Sequence, residues 1–261
     1  MLLMNIVRTE GEILFERYLW ERGLSFDFEK PEEGKRKIPD YSIDWHGEKC
    51  FLDVKDFERR CIPEESSAFD PYPPIREKIL QGRKKFKEYR EHCCALVLRN
   101  LGNSTVRLEF PDIVLGSMYG DAGFTFPVDV GAGRGDLSQT RQVFLGRGKM
   151  IRPYWSKPEN TTLSALITLT IIQPHYVALS ELFREHPGCG IEECRQELIR
   201  VIPNFDETLE VPRVIVWYNA YARIPFPSDL FNGPYDTHFG VVDGEQRITF
   251  RGQQLPQSIL V

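Results

Sequence analysis

Asp40, Asp53 and Lys55 are the residues of this chain whose types and spacing could do chemistry together. They frame the stretch Pro39-Asp40-Tyr41-Ser42-Ile43-Asp44-Trp45-His46-Gly47-Glu48-Lys49-Cys50-Phe51-Leu52-Asp53-Val54-Lys55, in which two runs of period-2 alternation flank His46-Gly47. A short connection carrying glycine between two such runs predicts a β-hairpin. With His46 and Gly47 as the loop, Trp45 faces Glu48, and Asp40 lies across from Asp53 on the neighbouring strand. One face then collects Tyr41, Ile43, Trp45, Cys50, Leu52 and Val54. The other collects Asp40, Ser42, Asp44, Lys49, Phe51, Asp53 and Lys55. A slip of one residue would turn every side chain over, so this sorting supports the register.

Two carboxylates directly opposite on adjacent strands repel, which disfavours the hairpin unless a cation sits between them. Mg²⁺ takes oxygen ligands and commonly uses one or two protein carboxylates beside phosphate oxygens, with Mn²⁺ as the expected substitute. Lys55 lies two residues beyond Asp53, projects to the same face and can reach a water or phosphate near such a metal. Aspartate and lysine are also ordinary on the solvated face of a surface hairpin, and spacing alone leaves these two readings level.

The elements that must position the hairpin can be read on both sides of it. Thr9 to Arg22 predicts an amphipathic helix with Leu14, Phe15, Tyr18 and Leu19 on its apolar stripe, ended by Gly23. Thr9 followed by Glu12 has the capping-box form, which gives Glu12 a role as a cap. Leu24 to Phe28 suits a first short strand, and Glu29 to Lys37 a charged connection. Glu58 to Pro74 is polar and carries Pro63, Pro71, Pro73 and Pro74, as a loop would. Ile75 to Tyr89 is helical, with Ile79 and Phe86 inward and Arg83, Lys84, Lys85 and Lys87 on a face that solvent or phosphate could cover. Cys94 to Leu98 has the composition of a buried strand.

Pro39-Asp40, twelve residues, then Asp53-Val54-Lys55 after an apolar run resembles the signature of the PD-(D/E)XK nuclease superfamily. The resemblance spans roughly residues 5–100. It implies an α/β fold with a mixed sheet and a restriction-endonuclease-like core: helix, three-strand meander, helix, strand. It also implies a Mg²⁺-dependent nuclease, with DNA as the expected substrate in preference to RNA. In that reading Asp40 and Asp53 hold the metal and Lys55 orients the attacking water. Gly11-Glu12, Tyr18-Leu19 and Gly23 resemble the first helix of small members, whose glutamate can join the metal site. Glu12 therefore has two readings, cap or ligand, with Glu10 and Glu16 as substitutes. The helix after the third strand often lies near substrate in relatives, which makes Arg83, Lys84, Lys85 and Lys87 candidates for phosphate contact. Some relatives carry a glutamine and a tyrosine four apart there, where this chain has Lys85 and Tyr89. Many relatives form homodimers to cut both strands. A member that lost catalysis would be a module binding nucleic acid or a partner protein, which is the alternative function.

Residues 1–100 thus make the expected core, and residues 101–261 an elaboration packed on it within the same structural domain, because no linker divides them. In that second part Thr105 to Phe110 suits a strand, and Ser117 to Gly148 suits glycine-rich loops with a short strand near Val143-Phe144-Leu145. Asn160 could cap a buried helix through Leu163, Leu166 and Ile167, or the β-branched run could form a strand. Tyr176 to Glu185 and Ile191 to Val201 look helical. Val211 to Trp217 reads as a strand, and a last hairpin is expected around Asp243-Gly244.

A net charge of −5 argues against a protein coated in positive charge. It is uneven, with seven Lys/Arg against two Glu from Arg76 to Arg90, and five basic residues against Asp136 from Arg134 to Arg152. Local stripes of this kind can track a phosphate backbone. The longest apolar run is too short to span a bilayer, no signal peptide is evident, and six cysteines without paired spacing fit a reducing cytoplasm better than a disulfide framework. Gly131 to Asp136 lacks the spacing of a nucleotide loop, and His175, His186, Cys189 and Cys194 lack that of a zinc site.

Overall fold

The computed structural model describes residues 7–61, 70–129, 131, 133–144, 148–152, 157–186, 188, 190–201, 206, 208–242 and 247–252. In chain order these contain α1 (Glu10–Glu21), β1 (Asp27–Phe28), β2 (Tyr41–Trp45), β3 (Glu48–Phe57), α2 (Tyr72–Phe86), β4 (Cys93–Asn100) and α3 (Pro111–Tyr119). They continue with β5 (Ala122–Thr125), β6 (Val128–Asp129), β7 (Arg134–Gly135), β8 (Arg141–Phe144) and β9 (Ala165–Ile172). The last elements are α4 (Pro174–Glu185), α5 (Ile191–Val201), β10 (Val211–Tyr218), β11 (Thr237–Val242) and β12 (Arg247–Gly252). A short 3₁₀ turn over Lys87–Tyr89 extends α2, and another covers Leu137–Gln139.

The alternation about His46-Gly47 does build a hairpin. Trp45 pairs with Glu48, Ile43 with Cys50 and Tyr41 with Leu52. His46 and Gly47 have φ of 51° and 84°, the left-handed pair that lets a two-residue turn follow the strands' twist. β1 runs antiparallel to β2, completing a three-strand meander, and α2 then crosses over so that β4 lies parallel to β3. The first hundred residues therefore follow the order helix, meander, helix, strand.

The sheet does not stop at β4. Its order is β1-β2-β3-β4-β9-β10-β11-β12, eight strands in a mixed arrangement. β9 is parallel to β4, β10 antiparallel to β9, β11 parallel to β10, and β12 antiparallel to β11. One face is covered by α1, where Leu14, Phe15, Tyr18 and Leu19 pack on Tyr41, Ile43, Leu52 and Val54. The other is covered by α2 and α3, where Ile75, Ile79, Phe86, Val114 and Met118 pack on Phe51, Leu96, Leu98 and Trp217. Strands buried on both faces read as continuous apolar runs, as Cys94 to Leu98 does. Among the described residues no helix is long and apolar enough to cross a membrane.

Several expectations need correction. Thr105 to Phe110 is turn and irregular chain, and the apolar residues that suggested a strand, Val106 and Leu108, are buried in the α2–α3 core instead. Pro111 at the first helical position opens α3, where glycine-rich loops were expected from Ser117 onward. Asn160 has φ of 48° in a turn and caps no helix; the β-branched run after it is β9. Cys194 packs with Leu179 and Leu198 between α4 and α5. No group of three metal-ligating side chains forms there or elsewhere among the described residues. Cys189, Leu145, Ala132, Pro63, Asp243 and Gly244 lie outside the described residues, although β11 and β12 flank the expected last turn.

Candidate functional site

Three elements meet at the paired aspartates. Asp40 immediately precedes β2, Asp53 lies on β3 opposite it by continuation of the ladder, and α2 passes over that face. β2 begins at Tyr41, so Asp40 stands just outside its ladder with β3. Its side chain continues the contact, Oδ2 accepting from Val54 N at 2.8 Å. This bond orients the Asp40 carboxylate and leaves Oδ1 to Lys85.

Two lysines converge on the pair. Lys55 Nζ lies 2.6 Å from Asp53 Oδ2, as its position two residues along the strand predicts. Lys85, from α2, places its Nζ 2.5 Å from Asp40 Oδ1 and also against Asp53 Oδ1. Asp53 is fully buried, whereas the two lysine side chains remain 25% and 23% exposed, so the pair opens to solvent through the lysines. Asp53 Oδ2 meets the Lys55 ammonium and Oδ1 that of Lys85, and these two contacts offset the burial of its charge. Burial pushes the Asp53 carboxyl up to about 6, and the charge of Asp40 adds to that, against the pull of Lys55 and Lys85. Burial works against the charge of Lys85, but the two aspartates outweigh it and hold its ammonium above the ordinary lysine range.

A buried carboxylate faced by a second carboxylate is a hard-oxygen donor set suited to Mg²⁺ or Mn²⁺. Asp40 and Asp53 are the residues that could hold one. The ammonium of Lys85 now stands where a cation shared by the two carboxylates would lie.

Glu12 is not brought to this pair. Its Oε2 accepts from Thr9 N at 2.7 Å while Thr9 Oγ1 accepts from Glu12 N at 3.2 Å, so the capping-box reading holds. The geometric reason is alternation. α1 covers the face carrying Tyr41, Leu52 and Val54, and the aspartate pair points to the face under α2. The substitutes are engaged as well: Glu16 with Arg8 and the Tyr41 hydroxyl, and Glu10 with Arg99.

Of the four candidate basic residues, Arg83 and Lys84 on α2 and Lys87 in the following turn are exposed as expected, and Lys85 is turned inward. Its position carries a signal that the helical stripe hid: it is one turn before Tyr89, which is buried against Phe51 with ring centroids 4.5 Å apart and donates to Lys37 O at 2.6 Å. Beyond Lys55, Arg59, Arg60 and Lys78 line a cleft of about 340 Å³ at the end of β3, together with Asp56, Phe57, Glu58 and Asn103.

The contact that sequence reading missed altogether holds α1 to β3. Asp56, on the α1 side of the strand, accepts from Gly11 N at 3.0 Å, an anion at a helix N-terminus. A Cβ on residue 11 would lie 2.0 Å from Asp56 Oδ1, so only glycine permits the approach. Gly11→Ala should lower stability by about 1–3 kcal/mol through loss of this half-buried bond, read as a lower urea midpoint with unchanged slope. A midpoint equal to that of the wild type would show that the contact contributes nothing to stability.

No family model, curated protein or solved structure matches this chain.

Proposed function

We propose that the chain is a divalent-metal-dependent nuclease that hydrolyses phosphodiester bonds in nucleic acid, DNA in preference to RNA. One observation carries the reading: Asp40 and the fully buried Asp53 face each other with Lys55 on the same side. The order helix, three-strand meander, helix, parallel strand around them supports a restriction-endonuclease-like core, on which the PD-(D/E)XK resemblance rests. The preference for DNA comes from that resemblance alone.

Mg²⁺ or Mn²⁺ held by Asp40 and Asp53 would supply Lewis acidity and a bound water of lowered pKa. The chain's own residues do the rest. Asp40, fixed by Val54 N, sets the position of one ligand oxygen. Lys55, a quarter exposed and anchored on Asp53, neutralises charge that develops on the phosphoryl oxygens as water adds to phosphorus and the ester P–O bond breaks. Arg59 and Arg60 just after β3 and Lys78 on α2, which line a cleft shared with Asp56 and Glu58, offer cations to the phosphate backbone away from the aspartate pair.

The test is cleavage of supercoiled plasmid and of labelled single-stranded DNA with Mg²⁺, with Mn²⁺ and with EDTA, for wild type beside Asp40→Ala. The expected result is metal-dependent cutting by wild type alone; equal cutting by Asp40→Ala would assign the activity elsewhere. A second reading is favoured by the position of Lys85: a permanent lysine between the carboxylates would make this a nuclease-fold module that binds nucleic acid or a protein without catalysis. That reading predicts no metal-induced rise in melting temperature.

A further inference from the structure

Lys85 touches both aspartates, whereas Lys55 touches Asp53 alone among the described ion pairs. A divalent cation shared by Asp40 and Asp53 needs the same volume, and two cations cannot occupy it together. Lys85 is built to leave. It is a point charge on a flexible four-carbon stem, it enters from α2 at the open side of the pair, and its side chain keeps 23% exposure. Its neighbours Arg83 and Lys84 already lie on the exposed face of α2. Without Lys85, the buried Asp53 would face Asp40 with only Lys55 to offset the repulsion.

We propose that Lys85 is a built-in counter-cation, which holds Asp40 and Asp53 together in the metal-free chain and is displaced when a divalent metal binds, freeing its ammonium for a substrate phosphate. This rests on the reading of the aspartate pair as a metal site. Lys85 then sets two properties at once. It stabilises the metal-free fold, and it weakens metal affinity by the free energy of the ion pairs that must break. Nucleic acid, by engaging the displaced ammonium, favours the metal-bound arrangement, so metal and substrate each tighten the binding of the other.

The experiment compares wild type with Lys85→Met, which keeps the stem and removes the charge, by calorimetric titration with Mn²⁺ alone. The expected result is Mn²⁺ binding about tenfold or more tighter in Lys85→Met, the equivalent of one modest ion pair lost from the competition. In parallel, wild type is acetylated with acetic anhydride in EDTA and at saturating Mn²⁺, and modification is read by mass spectrometry. Lys85 should be protected in EDTA and modified several-fold faster with Mn²⁺, with Lys84 as the unchanged internal reference. Equal or weaker Mn²⁺ binding by folded Lys85→Met, or unchanged Lys85 modification in metal-bound wild type, overturns the proposal and leaves the metal site standing. No Mn²⁺ binding by either protein overturns the metal site and the proposal with it. Should Lys85→Met fail to fold, the acetylation of wild type decides the matter by itself.

Discussion

Asp53→Asn should yield a protein that melts higher than wild type in EDTA at pH 8 and cuts no nucleic acid. The carboxyl of Asp53 is raised from an ordinary 3.8 to about 6, burial first and Asp40 second, so the folded chain favours its neutral form. A carboxyl raised in this way adds to stability only while it is protonated. Relative to the unfolded chain, that contribution is complete below about pH 4 and is lost as pH rises through about 6. At pH 8 the wild type therefore carries the cost of a buried charge that asparagine does not. Lys85 keeps Asp40 as its partner in the variant, and Lys55 is exposed enough to stay hydrated. The expected gain is about 2 kcal/mol, or roughly 4–8 °C, shrinking toward zero near pH 4. Mn²⁺ should reverse the order, raising the wild type and leaving the variant where it was. Cleavage should fall by about 10³-fold or more, since a metal ligand and the water it activates go together. Scanning calorimetry at pH 4 and pH 8, with and without Mn²⁺, checks the stability half. A variant less stable at pH 8 would contradict the charge cost given to this aspartate, and one that cuts like wild type would contradict its role as a metal ligand.

Lys55→Ala should separate binding from chemistry. If the ammonium acts on charge that grows only as the P–O bond breaks, its loss lowers kcat by about 10²–10³-fold and leaves KM nearly unchanged. Mn²⁺ affinity should hold or rise, because a positive charge 2.6 Å from a ligand oxygen is removed. Metal-free stability should fall slightly, since Lys55 is one of the two ammonium groups offsetting the burial of Asp53. Lys55→Arg should restore only part of the rate: the guanidinium keeps the charge but spreads it over a planar fork that does not superimpose on an ammonium. Single-turnover cleavage at saturating Mn²⁺ measures this directly. Wild-type kcat in Lys55→Ala would move Lys55 out of the site and leave Lys85 as the lysine to test next.

What could be read in the sequence was local, because the physics that fixes it is local. Period-2 alternation and a glycine able to take φ of 84° determine the hairpin register, and with it the meeting of Asp40, Asp53 and Lys55. A threonine three residues before a glutamate determines the start of α1. With the helical stripe of Ile79 and Phe86 and the apolar run from Cys94 to Leu98, these signals predict the order helix, meander, helix, strand. The rest needed the tertiary structure. Which face of the sheet each helix covers decided that Glu12 stays a cap, and no sequence period encodes that choice. Lys85 reads as one more base on a solvated helix until α2 is laid over β3, when two buried carboxylates outweigh the cost of turning it inward. Gly11 and Asp56 are forty-five positions apart, and their contact exists only because α1 docks closely enough for a missing Cβ to matter. The continuation of the sheet from β4 to β9, across more than sixty intervening residues, is likewise a matter of long-range pairing, which side-chain alternation within either strand does not specify.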